Sequence, residues 1–156
     1  MMAQIAYEAA RGGLAGFEWG VGIPGTVGGS VRGNAGCFGG ETKDALESVV
    51  IFDTIRNITQ NLKCASCKFA YRDSIFKKHP EWIILGATLR LVPGDMGASR
   101  QKVLEYTKKR TTSQDIGAQC AGCIFKNIDK PGLSIAAGQL IDTAGLKGMM
   151  IGKAMI

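Results

Sequence analysis

Gly22-Ile-Pro-Gly-Thr-Val-Gly-Gly-Ser-Val-Arg-Gly-Asn-Ala-Gly-Cys-Phe-Gly-Gly-Glu41 is the stretch on which the reading of this chain turns. Eight glycines and one proline stand in these twenty residues, and Arg32 and Glu41 are its only charges. Glycine reaches positive φ and lets main chain approach a neighbour closely, at an entropic cost to folding. Such a composition predicts neither a helix nor an ordinary strand. Successive bare N–H groups suit a large, flat or anionic ligand. A flexible linker is built from polar, mostly Gly and Ser residues, whereas Ile23, Val27, Val31 and Phe38 argue that this segment is buried.

Working outward, the 156 residues have room for one domain or parts of two. The net charge of +6 favours anionic partners without separating nucleic acid from nucleotides or phosphosugars. No aromatic platform interleaves with the basic residues, so nucleic acid is not expected. Lys108, Lys109 and Arg110 form the densest basic cluster, at the end of a predicted helix where cations complement the dipole and are usually solvated. No stretch is long enough to span a membrane, and none reads as a signal peptide. Five cysteines, an odd number without an export signal, point to reduced thiols and a cytoplasmic setting. The closing run Met149 to Ile156 reads as a strand in progress, and the sequence is expected to be part of a longer protein.

Patterning gives an α+β chain. Met1 to Arg11 predicts a helix closed by Gly12-Gly13. Ser48 to Asp53 predicts a strand, Asn57 a turn, and Ile58 to Leu62 a strand pairing back. Trp82 to Val92 alternates Ala87, Leu89 and Leu91 against Thr88 and Arg90, a strand with one wet face. Pro93-Gly94-Asp95 reads as a turn, and Ser99 to Arg110 as a helix with Glu105 and Lys109 paired. Leu133, Ala136, Ala137, Leu140, Ile141 and Ala144 predict one amphipathic helix. A domain boundary is expected near Gly94 to Ala98, giving domains 1–96 and 97–156.

Three groups could carry chemistry. Cys64/Cys67 and Cys120/Cys123 are two CxxC pairs that could hold a zinc ion, but 52 residues lie between them, in segments without knuckle turns, so small packed thiols are the competing reading. Cys123, within Ala121-Gly122-Cys123-Ile124-Phe125-Lys126-Asn127, could be a plain buried thiol or, since an ordinary thiol is mostly protonated at neutral pH, could give a proton to a carbanion. The lone His79, beside Pro80, reads as surface, so no nucleophile–histidine pair can be assembled. Arg72, in Tyr71-Arg72-Asp73-Ser74, could grip a carboxylate through its planar fork, or be exposed and paired with Asp73.

In order and spacing these segments resemble the UDP-N-acetylenolpyruvoylglucosamine reductase family. The carriers are Gly-Phe-Glu-Trp at 16–19, Gly-Ile-Pro-Gly-Thr-Val-Gly-Gly at 22–29, Asn-Ala-Gly at 34–36 and Gly-Gly-Glu at 39–41. Phe-Ala-Tyr-Arg-Asp-Ser-Ile-Phe-Lys at 69–77, Ala-Gly-Cys-Ile-Phe-Lys-Asn at 121–127 and Ala-Gly-Leu-Lys-Gly at 144–148 complete the set. The resemblance implies the latter part of a vanillyl-alcohol-oxidase-type FAD-binding domain followed by the first part of a substrate domain. It implies that NADPH reduces the flavin and that hydride then passes to the enolpyruvyl group of UDP-N-acetylglucosamine enolpyruvate, completing a peptidoglycan precursor. Gly22, Ile23, Pro24, Gly25, Thr26, Val27, Gly28, Gly29, Asn34, Ala35 and Gly36 would face the FAD. Arg72 would hold the carboxylate and Cys123 would donate the proton, where the family most familiarly has Ser. Tyr71, Gly122, Lys126, Asn127 and Lys147 would lie along the UDP-sugar. No metal, no membrane and a monomeric full-length enzyme are implied. The family also carries a Gly-Ser-Asn flavin turn before this region and a catalytic Glu after it, so this chain alone is expected to bind FAD weakly or not at all. Phe38 stands where Tyr is frequent, Asp115 where Pro is usual, and Lys153 where Gly is usual.

Overall fold

A computed structural model describes residues 1–113, 122–130 and 132–156. The chain forms two compact units, Met1–Ile116 and Gly117–Ile156. Helix and strand are mixed throughout, as patterning predicts.

In the first unit, α1 (Met2–Arg11) buries Met2, Ala6, Ala9 and Ala10 along one face and ends where the Gly12 N–H reaches the Glu8 and Ala9 carbonyls. A short strand β1 (Leu14–Ala15) leads to a 3₁₀ turn, Glu18–Gly22. Helix α2 (Val27–Gly33) follows. This corrects the expectation that the glycine-rich stretch excludes a helix. Thr26 Oγ1 caps it by accepting from Gly29 N at 3.1 Å, and Asn34 ends it in the left-handed region at φ 43°. Gly28 faces Ile84 of a later strand, where a Cβ would make an ordinary contact at 3.8 Å.

The hairpin β2 (Gly36–Cys37) and β3 (Gly40–Glu41) leads through α3 (Thr42–Ala45) into β4 (Leu46–Asp53). Strand β4 is the centre of a three-stranded antiparallel sheet, between β5 (Ile58–Lys63) and β6 (Trp82–Leu89). The β4–β5 turn is held by Asp53 Oδ1, which accepts from the Ile55 and Arg56 amides, and by Asn57 at φ 56°. One sheet face and α2 enclose Val31, Leu46, Val49, Ile51, Cys67 and Phe76. A second cluster, Met2, Ala6, Phe17, Trp19 and Ala45, lies beneath the 3₁₀ turn.

Strand β7 (Val92–Pro93) pairs with β1, so Pro93 is a strand end rather than part of a free turn. Asp95 Oδ1 then accepts from Ala98 N and starts α4 (Met96–Ser113). This helix was expected to open the second domain. It packs on α1 and the 3₁₀ turn instead, through Ser99, Val103, Tyr106 and Arg110 at helical spacing, so the compact unit continues past the expected boundary near Gly94–Ala98. The expected Glu105–Lys109 pair is present at 2.7 Å.

In the second unit β8 (Ile128–Lys130) pairs with β9 (Leu133–Ile135), followed by α5 (Ala137–Thr143) and the hairpin β10 (Met150–Ile151) to β11 (Ala154–Met155). The predicted amphipathic helix is therefore shorter. Leu133 to Ile135 is strand, because β-branched Ile135 and Ile128 pair across an antiparallel ladder. The terminal run closes on itself as a hairpin through Gly152, at φ 61°.

Candidate functional site

Asn34 is the hinge of the site. Its side chain is fully buried, and its Nδ2 donates to Glu41 Oε2 at 2.8 Å and to the Ala70 carbonyl at 3.0 Å. Its Oδ1 accepts from Lys43 N at 3.1 Å. One amide thus ties the end of α2 to the β2–β3 hairpin, to α3 and to the Arg72 turn. Asn34, a residue expected to face a cofactor, spends its side chain inside the protein and turns its main chain towards Arg72.

Arg72 sits on a tight turn closed by reciprocal main-chain bonds between Ala70 and Asp73, 3.1 and 3.0 Å long. Its φ of 54° is left-handed, a conformation that costs an ordinary residue on the order of 1–3 kcal/mol and persists only where the surroundings impose it. The guanidinium donates to the Gly36 carbonyl at 2.9 Å and to the Asn34 carbonyl at 3.4 Å, and lies over the Tyr71 ring at 5.0 Å. Lys77 Nζ bonds the Arg72 carbonyl. Among the described residues Arg72 makes no ion pair with Asp73, so the exposed-pair reading falls. The structure therefore joins Arg72 to the Asn34–Gly36 segment, thirty-six residues earlier for the Gly36 bond.

Several glycines are bare because of the protein's own packing. A Cβ on Gly36 would meet the Gly40 carbonyl at 2.6 Å, and one on Gly22 would meet the Phe38 ring at 2.7 Å and Cys37 Sγ at 2.8 Å. One on Gly40 would enter the Trp19 ring. Ala35 is bonded on both sides, its N–H to Ser30 and its carbonyl to the Thr42 amide and hydroxyl. The surface is left to the next segment: Pro24, Thr26 and Gly29 are exposed, Gly25 has only Ile23 near its Cβ position, and Ile23 and Val27 are half-buried.

Sequence reasoning missed the groups that brace this segment. Arg110 donates to the Gly22 carbonyl rather than being a merely solvated helix-end cation. Tyr106 stacks on Phe38 with ring centres 4.4 Å apart and planes 6° from parallel. Spacing alone holds no signal for contacts between residues so far apart in the chain.

In the second unit Gly122 has φ 73°, and Gly122, Cys123, Lys126, Asn127 and Lys147 are all exposed. Asn127 Oδ1 accepts from Ala137 N at 3.1 Å and so caps α5.

The remaining thiols differ in reactivity. Burial, with the neighbouring Cys64, pushes Cys67 up to about 11. Burial also raises Cys37, against the nearby Arg110, and raises Cys64 together with Asp44. Cys64 and Cys67 donate to the Lys43 and Lys63 carbonyls, as packed thiols do, and among the described residues no three His, Cys, Asp or Glu side chains converge. Cys120 lies outside the described residues. Because the thiolate is the reactive form, iodoacetamide at about pH 8 should label exposed Cys123 well before Cys67, which reacts only as pH climbs towards its own value. Peptide mass spectrometry reads the order, and early labelling of Cys67 would contradict its burial.

His79, expected at the surface, stacks on Trp82 and bonds Glu81 at 2.8 Å.

Residues 114–156 match the model of the "UDP-N-acetylenolpyruvoylglucosamine reductase, C-terminal domain" family. A UDP-N-acetylenolpyruvoylglucosamine reductase of Gloeobacter violaceus is 36% identical over 99% of this chain and 51% of its own length. That of Caldanaerobacter subterraneus subsp. tengcongensis is 41% identical over 92% of this chain and 45% of its own. The solved reductase structure from Thermus caldophilus superposes with a TM-score of 0.84 at 37% identity, covering 99% of this chain and 55% of that one. This mixed α+β chain belongs to the UDP-N-acetylenolpyruvoylglucosamine reductase family. It spans about half the length of the curated relatives it matches.

Proposed function

We propose that the chain carries the flavin-facing loop and the carboxylate-binding arginine of an FAD-dependent reductase that converts UDP-N-acetylglucosamine enolpyruvate to UDP-N-acetylmuramate with NADPH, in the cytoplasm. The observation that carries this reading is the bonding of Arg72 to the carbonyls of Asn34 and Gly36. It puts a cation suited to a carboxylate on the same scaffold as the glycine-rich segment.

The residues fit a flavin dinucleotide. Helix α2 begins at an exposed Thr26, and its cap takes only the Gly29 amide. Among the described residues the Val27 and Gly28 amides meet no main-chain acceptor outside the helix, and they suit a diphosphate. The Ile23–Gly25 main chain carries no bulky charged side chain to fend off a flat ring. The first unit is accordingly read as part of a vanillyl-alcohol-oxidase-type flavin domain.

A flavin held by the Ile23–Gly29 segment would supply the hydride for one carbon of the enolpyruvyl double bond. The chain's own residues do the rest. Arg72 has five N–H donors, two of them engaged with carbonyls, and turns others to the substrate carboxylate, where negative charge grows as hydride arrives. Tyr71, beneath the guanidinium, limits the directions it can take. Cys123 gives its Sγ proton to the second carbon, completing a two-electron reduction. Lys126 and Lys147 face the UDP diphosphate, and Gly122 and Asn127 shape the turn around it. A zinc-stapled module is the weaker reading, since Cys64 and Cys67 are already bonded internally.

Amide chemical shifts of the chain, titrated with FAD to ~1 mM, test the loop; a Kd of that size corresponds to only about 4 kcal/mol. Changes should concentrate at Gly25, Thr26, Val27, Gly28 and Gly29. Change scattered over the sheet, with the loop amides unmoved, would overturn the assignment.

A further inference from the structure

Helix α4 presents one face to the layer that carries the proposed flavin loop. Along that face, Ser99 Oγ donates to Glu18 Oε1 at 2.9 Å in the interior, Val103 is 1% exposed, Tyr106 stacks on Phe38, and Arg110 donates to the Gly22 carbonyl. Each partner belongs to the 3₁₀ turn or to the β2–β3 hairpin. Phe38 is held at a left-handed φ of 52°, and its ring occupies the place where a Cβ on Gly22 would be. Gly22, Phe38, Tyr106 and Arg110 thus form one interlocked stack at the root of the exposed Ile23–Thr26 segment. Two main-chain bonds, Ile23 N back to the Gly20 carbonyl of the turn and Gly25 N to the Ile23 carbonyl, hold the shape of that segment.

We propose that Arg110 and Tyr106 are positioning residues: α4 is a splint that fixes the carbonyl of Gly22 and the ring against it, so that Ile23–Thr26 is held in one conformation for its ligand. That the ligand is a flavin dinucleotide rests on the reading above; the splint does not. A charged donor on a carbonyl is among the stronger hydrogen bonds. A single guanidinium bond to the last carbonyl of a turn, beside an aromatic stack, is enough to decide whether a short segment opens locally.

Amide hydrogen exchange of the whole chain tests this without any ligand. In Arg110→Ala, the Ile23 and Gly25 amides should exchange roughly tenfold faster, while those of β4 keep their rates. Tyr106→Leu should act in the same direction. Lys108→Ala, an exposed change of equal charge on the same helix turn, should leave both amides unchanged, and Arg110→Lys, which keeps one donor, should restore most of the protection. If Arg110→Ala is too unstable to purify, the comparison of Arg110→Lys with Arg110→Gln decides: equal protection in both overturns the proposal. Unchanged exchange at Ile23 and Gly25 in Arg110→Ala and Tyr106→Leu also overturns it. An FAD titration of the same variants separates the two claims. Loop loosening with wild-type flavin shifts that fall away from the loop removes the flavin reading and leaves the splint. Loosening accompanied by smaller flavin-induced shifts supports both.

Discussion

Asn34→Ala is expected to destabilise the first unit by roughly 3–5 kcal/mol, the size seen when a buried hydrogen-bond network is broken. Three bonds disappear together, to Glu41, to Ala70 and from Lys43. The new alanine must also hold the φ of 43° that asparagine tolerates better than other L-residues. For a chain of this length that is a fall in Tm on the order of 10 °C, read by calorimetry or circular dichroism. Asn34→Asp is a sharper probe because it keeps the shape. It removes both donors and sets a carboxylate against Glu41, 2.8 Å away in the native pair. Like charges so close raise the pKa of one of the two in the folded state. Stability conferred by a raised folded pKa is present at low pH and lost as pH rises through it, so the Asn34→Asp variant should gain on wild type as pH falls. A pH-independent deficit would mean that Glu41 is not the neighbour the structure assigns.

Arg72 carries the second large effect. Removing a preorganised donor from a site where charge develops costs roughly 10²–10³ in turnover. Arg72→Ala, placed in a reductase that turns over enolpyruvyl substrate, should lose at least that much. Arg72→Lys should recover only part of it, since an ammonium reaches a carboxylate as a point charge and lacks the planar fork that also spans the Asn34 and Gly36 carbonyls. Steady-state kinetics with the substrate varied gives the split: loss confined to KM would make Arg72 a docking residue, whereas loss in kcat marks charge stabilised during the reaction. Full turnover in Arg72→Ala would remove the arginine from the mechanism.

How far the residues alone disclose this arrangement depends on the range of the interaction. Helix α1 and the hairpin of β4 and β5 are legible because apolar residues repeat at local periods and Asn57 and Asp53 mark the turn. Strand β6 is legible for the same reason, with Ala87 and Leu89 half-buried beside an exposed Thr88. Helix α2 is hidden because its glycines oppose helix propensity, and packing on β6 with a Thr26 cap overrides that preference. The inward face of α4 is hidden because only one of its four contact residues is aliphatic, so no apolar stripe shows. The glycine signal was partly intramolecular: Gly22, Gly36 and Gly40 are small for Phe38, Gly40 and Trp19, whereas Gly25, Gly29, Gly33 and Gly39 meet no such crowding. Asn34 stands out by its motif, but its side chain serves contacts up to thirty-six residues away, which no local pattern encodes. Lys126, Lys147 and Cys123 were singled out by motif, and their exposure leaves them accessible to a substrate.

The most direct test of the reductase reading replaces the matching region of the Thermus caldophilus relative, 55% of its length, with this chain and follows NADPH oxidation in the presence of FAD. The chimera is expected to consume NADPH in step with UDP-N-acetylglucosamine enolpyruvate and to stop when that substrate is withheld. A folded chimera that retains flavin yet oxidises no NADPH against the enolpyruvyl sugar would contradict the account.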